Sequence, residues 1–166
     1  VLYTRREPYT LMVTRLDHGN VLARYVDVDA ASFVQGLLIA ATKYHADIRR
    51  VSVDTLNYDT VSRTYRSLEA PMDQIHPICI SVDTNAKHLV EATAQAHQKS
   101  YHKGLCDVCI TNIRAVQDVL TEENIPCVLM TPSPNNYINE IRRLMLSWKA
   151  AGRAKKDNAA VRIRAE

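Results

Sequence analysis

Asp54-Thr55, Asp83-Thr84, Thr111-Asn112 and Thr131-Pro132-Ser133 each follow a short apolar run and each precede a segment of helical period. Carboxylates, hydroxyls and amides at helix heads suit one task above others. They hold a small polar molecule by hydrogen bonds, while the helix N-termini add partial positive charge. Asn135 extends the set beyond Ser133, and Arg114 places a cation in the first turn of its helix. A first-turn cation opposes the helix dipole by roughly a few tenths of a kcal/mol. Either Arg114 is kept for an anionic group on a ligand, or it is exposed or paired with Asp54 or Asp83. Asp54 and Asp83 also have a purely structural use, because Asp before Thr is a good helix N-cap. The candidate ligand-binding set is therefore Asp54, Thr55, Asp83, Thr84, Thr111, Asn112, Arg114, Thr131, Ser133 and Asn135.

Reactive chemistry is harder to find. The four glycines, Gly19, Gly36, Gly104 and Gly152, are far apart, which excludes a dinucleotide fingerprint and a phosphate loop. There is no G-x-S-x-G elbow, and no Ser or Cys has an evident base. A receiver domain needs an acidic pair after its first strand, and none follows the first apolar run here. The six histidines, at 18, 45, 76, 88, 97 and 102, lack ligand spacing. His97 and His102 read as surface residues on different sides of one helix. Cys106-x-x-Cys109 resembles half a zinc site or a redox pair, but a strand over 106–110 would send residues three apart to opposite faces. The four cysteines are expected to be reduced core thiols. No catalytic residue, metal or cofactor is expected.

The elements that must position these corners follow from hydrophobic period. Strands are expected at 1–4, 21–28, 48–53, 77–82, 106–110 and 126–130, with a possible last one at 161–164. Helices fall between them. A short one begins near Pro8. Asp29 caps another, over 30–45, with Phe33, Leu37, Ala40, Ala41 and Tyr44 on one face. The next three carry Val61, Tyr65 and Leu68; Leu89, Val90, Thr93, Ala96 and Tyr101; and Ile113, Val116, Val119 and Leu120. Gly104 and Asn124 end the last two of these, and Asn112 is expected to cap the last. After Ser133-Pro134 the final helix has an inner stripe of Ile138, Ile141, Met145 and Trp148. Strand and helix in alternation place the chain in the α/β class, with helices on both faces of a mostly parallel sheet. The spacing of strand ends favours two lobes, 1–47 with 126–166 and 48–125. In such folds ligands bind outside the carboxyl ends of the strands, where the polar corners lie.

The 166 residues are enough to bury a core unaided, and a formal charge of +3 does not dictate an acidic partner. Basic residues crowd the last quarter, from Arg142 and Arg143 to Arg162 and Arg164, as a solvated helix face or a nucleic-acid or partner surface. No apolar run nears the roughly 20 residues of a membrane span, and no signal peptide is visible, so a cytoplasmic location is expected. The start at Val1, in the body of an apolar run, reads as a piece of a longer protein.

Residues 104–146 combine G-x-x-D and an apolar run, a helix with Ala115 and Leu120, Ile125-Pro126, a second apolar run, Ser133 and a helix with Ile138. This pattern resembles the sensory domains of bacterial helix-turn-helix transcriptional regulators, and is similar to the N-terminal sensor of the propionate catabolism regulator. Val51-Ser52-Val53-Asp54-Thr55 and the 30–45 helix fit the same plan. The resemblance implies a flavodoxin-like or Rossmann-like module of two lobes. Such a module takes a small effector in its cleft, an anionic one among the candidates, and reaches DNA only through a domain outside this chain. A homodimer, and no membrane contact, go with it. Thr111-Asn112 stands where that regulator has Gly-Gly, so its ligand does not carry over. The alternative is a small α/β enzyme acting on an anionic metabolite.

Overall fold

The computed structural model describes residues 2–3, 24–82 and 88–163, with side chains from 24 to 151. In chain order the elements are β1 (Leu2–Tyr3), β2 (Arg24–Tyr25), α1 (Ala30–Tyr44), β3 (Val51–Val53), α2 (Tyr58–Ser67), a 3-10 turn (Met72–Gln74), β4 (Ile78–Cys79), α3 (Leu89–His102), β5 (Val108–Thr111), α4 (Arg114–Glu122), β6 (Cys127–Leu129) and α5 (Pro134–Ile163). The expected helix near Pro8 lies outside the described residues, as do Asp83, Thr84 and Asn85.

Val28–Ser133 forms one compact unit and Val1–Asp27 with Pro134–Glu166 the other. These bounds differ from the expected 1–47 with 126–166 against 48–125. The reason is local: β6 hydrogen-bonds along β5, and α1 packs against β5 and β6, so both belong with the main sheet.

That sheet is parallel throughout, in the order β4-β3-β5-β6. Parallel pairing requires a crossover after each strand, and the helices supply them. The chain runs from β3 to one side, then returns past β3 to build β5 and β6, so the order reverses between β3 and β5. This is flavodoxin-like topology, with the reversal at the place where such folds bind ligands.

The period of two along the strands decides what each face buries. Val51, Val53, Val108, Ile110 and Val128 meet Phe33, Leu37 and Ala40 of α1 and Val61 and Tyr65 of α2. Phe33 and Tyr65 stack edge to face at 5.7 Å between centroids. Cys109 and Cys127 face the other way, into a cluster with Ala94 of α3 and Val116 and Leu120 of α4.

Capping fixes the helix ends. Asp29 and Ser32 form a reciprocal capping box at the head of α1, and Asn57 accepts from the Thr60 N–H at the head of α2. Gly104, at φ +65°, ends α3 as expected, with bonds from Gly104 N to Tyr101 O and from Leu105 N to Ser100 O. Asn124, at φ 60°, ends α4 in the same way.

In the other unit β1 and β2 pair in parallel. Helix α5 turns Asn136, Glu140 and Ser147 toward the β2 segment, where Arg24 meets Glu140 at 3.6 Å and Asn136 donates to the Asp27 carbonyl. The expected inner stripe of α5 is therefore not core: Ile138, Ile141, Met145 and Trp148 are 45–70% exposed. Helix also continues to Ile163, replacing the strand expected at 161–164.

Candidate functional site at the ends of the central strands

Ser52 and Asp54 are two apart, so both project from β3 toward α3, while Val51 and Val53 project into the opposite core. Helix α3 answers with a polar stripe, Thr93, His97 and Ser100, all buried. His97 is thus a core residue, not the surface residue expected. Ser52 Oγ lies 2.9 Å from His97 Nδ1, and His97 Nε2 lies 3.5 Å from Asp54 Oδ2. The longer separation is an electrostatic contact, not a hydrogen bond. A carboxylate beside Nε2 favours a proton on that nitrogen. In the neutral ring Nδ1 is then the acceptor, and Ser52 donates to it.

Asp54 does not cap a helix, since Asn57 takes that place in α2. Its Oδ2 instead accepts from Thr111 Oγ1 at 2.6 Å, and Thr111 Oγ1 in turn accepts from the Ile113 N–H at 3.0 Å. The expected cap at Asn112 is corrected by the same bond: the N-cap residue of α4 is Ile113, and the Thr111 hydroxyl satisfies its N–H. The result is a continuous polar chain, Ser52–His97–Asp54–Thr111–Ile113, that runs from α3 through β3 to β5 and the head of α4. It sits at the reversal of strand order.

Within this chain two buried atoms, Asp54 Oδ1 and His97 Nε2, find no hydrogen-bond partner among the described residues. Asp54 is only 3% exposed, and an unpaired buried carboxylate oxygen costs on the order of 1–3 kcal/mol or more. Thr55, directly after it, has φ 61°, a left-handed conformation uncommon for a β-branched residue. Strain and unsatisfied polarity coincide at one corner.

The remaining candidates divide. Asn112 is half-buried next to Thr111, and Thr55 and Thr131 are exposed. Ser133 is buried and donates to Asp29 Oδ2 at 3.0 Å. Burial raises the Asp29 carboxyl, but the bonds from Ser32 and Ser133 outweigh it and hold it below its ordinary value. Arg114 is exposed and donates to Gln117 at 3.0 Å, so it pairs along its own helix and not with Asp54. Asn135 belongs to the other unit.

The cysteines need one correction. Cys106 precedes β5 and lies in irregular backbone, so the alternation of a strand does not apply to it. Cys106, Cys109 and Cys127 all lie in the α3–α4 core. The Cys109 thiol hydrogen-bonds to Cys106, which lowers Cys106 against the opposing effect of burial and raises Cys109. Burial pushes Cys127 up to about 12. All four thiols are reduced, and no group of three metal-ligating side chains occurs among the described residues. A thiol-reactive disulfide reagent at pH 8 is expected to leave Cys106, Cys109 and Cys127 unmodified in the folded chain and to label them after unfolding. Fast labelling of Cys106 in the native protein would contradict this packing.

Two depressions stand out among the described residues, neither of them lined by Asp54. One, of about 580 Å³, lies between α3 and α4, with Leu89, Val90, Ala94 and Val119 in its wall and a 2.7 Å bond from Gln98 to Glu123. The other, of about 330 Å³, is lined by Arg24, Tyr25, Asp27, Asn136, Glu140 and Arg143, where Glu140 already meets both arginines. Neither has an orphaned buried group. Among known proteins, no family model, curated protein or solved structure matches the chain.

Proposed function

We propose that this chain is the small-molecule-sensing domain of a bacterial transcriptional regulator. It binds an effector at the strand ends around Asp54 and Thr111 and signals to a DNA-binding domain outside the chain. The carrying observation is the buried Asp54 carboxylate oxygen with no partner, placed where flavodoxin-like folds take ligands. The polar chain from Asp54 through His97 to α3 is a physical route by which an occupied site changes a helix. A cytoplasmic location and a homodimer belong to the same proposal. Among the described residues no helix is long and apolar enough to cross a membrane, and the exposed apolar side chains of α5, at heptad-like spacing, suit a second copy.

The enzyme reading has one observation in its favour, the Ser52–His97–Asp54 constellation. Ser52 is 0% exposed and in mid-strand, bonded to neighbours on both sides, so its hydroxyl has no access to a substrate. Binding without reaction fits better.

A sensor shifts its output only by the difference in ligand affinity between its two states. In the full-length regulator, a library compound that stabilises this domain should change DNA affinity and be recovered unchanged. Turnover of that compound, or unaltered DNA affinity, would count against the proposal.

A further inference from the structure

Resting on the sensor reading, we infer that the effector presents an O–H or N–H donor to Asp54 Oδ1, and is a hydroxyl- or ammonium-bearing small molecule and not an anion. Three features carry this. The orphaned atom at the strand ends is an acceptor on a carboxylate, which attracts donors and cations and repels carboxylates and phosphates. Asp29, at the head of α1, is also an acceptor, held by Ser32 and Ser133. The cation that an anionic ligand would use, Arg114, is turned to Gln117.

A second buried orphan, His97 Nε2, faces the same carboxylate at 3.5 Å. A ligand donor on Oδ1 therefore acts on a group already poised between β5 and α3. Asp54 is 3% exposed, so the inference requires the corner at 55–57 to move aside for a donor to reach Oδ1.

Amide-resolved NMR of the whole chain decides the matter with four probes: 1,4-diaminobutane, erythritol, succinate and butyrate. Saturable shifts at Thr55, Asn112 and Ile113 are expected with the diamine or the polyol and not with either acid. Asp54→Asn should weaken diamine binding roughly 10- to 100-fold, the loss of one charge-assisted bond. If that variant does not fold, the selectivity of the unaltered chain still decides. Saturable binding of succinate or butyrate at these amides overturns the donor inference and leaves the sensor reading intact. No saturable shift with any of the four, or diamine binding unchanged by Asp54→Asn, also overturns it. Chemical conversion of a probe overturns both.

Discussion

Replacing His97 by alanine is expected to lower the stability of the sheet unit by about 3–5 kcal/mol, measured by chemical denaturation. The ring is 0% exposed and bridges Ser52 and the Asp54 carboxylate. Its removal leaves the Ser52 hydroxyl unpaired, takes the ring from beside an Asp54 carboxylate then held by Thr111 alone, and opens a cavity between α3 and β3. The loss should be strongly non-additive. Once His97 is gone the Ser52 hydroxyl has already lost its partner, so adding Ser52→Ala costs little more, with a coupling of about 0.5–3 kcal/mol in a double-mutant cycle. Additive losses, or a His97→Ala cost below about 1 kcal/mol, the range of an ordinary surface change, would mean that the polar chain is not formed.

Phe33→Ala is expected to cost a similar amount, about 3–5 kcal/mol, for a different reason. Phe33 is fully buried on the opposite face of the sheet, edge-on to Tyr65, whose hydroxyl donates to the Ile48 carbonyl. The loss here is apolar burial and ring contact, with no polar group stranded. Phe33→Leu, which keeps most of the volume, should cost roughly 1.5 kcal/mol or less. Because Phe33 shares no partner with Asp54, either variant should leave the order of preference among the four probes unchanged. The two faces of one sheet thereby separate stability from recognition.

The α/β alternation was legible because strands buried on both faces read as apolar runs and helices as 3.6-residue stripes. Asp29, Gly104 and Asn124 marked their helix ends through local chemistry alone. Expected strands ran longer than the hydrogen-bonded ones, since Ile48 and Cys106 are apolar enough to extend a run without joining the ladder. Asp54 and Thr111 were found as strand-end residues, but their joining depends on β3 and β5 becoming neighbours, a non-local fact. His97 was missed because a polar stripe facing a sheet looks like a solvated one. The signal was nevertheless present. Val51-Ser52-Val53-Asp54 alternates apolar and polar within a strand that must be buried on both faces, and only a polar helix face such as Thr93, His97 and Ser100 can cover its polar side. Helix α5 misled in the opposite sense, because an apolar stripe at helical spacing does not say whether it faces its own chain.

The most direct test of the strand-end site is hydrogen exchange of the whole chain with and without a stabilising library ligand. Protection is expected in peptides covering 52–57, 93–100 and 109–114, the segments joined through Asp54. Protection confined to 136–143 or 119–123, with 52–57 unchanged, would contradict the assignment.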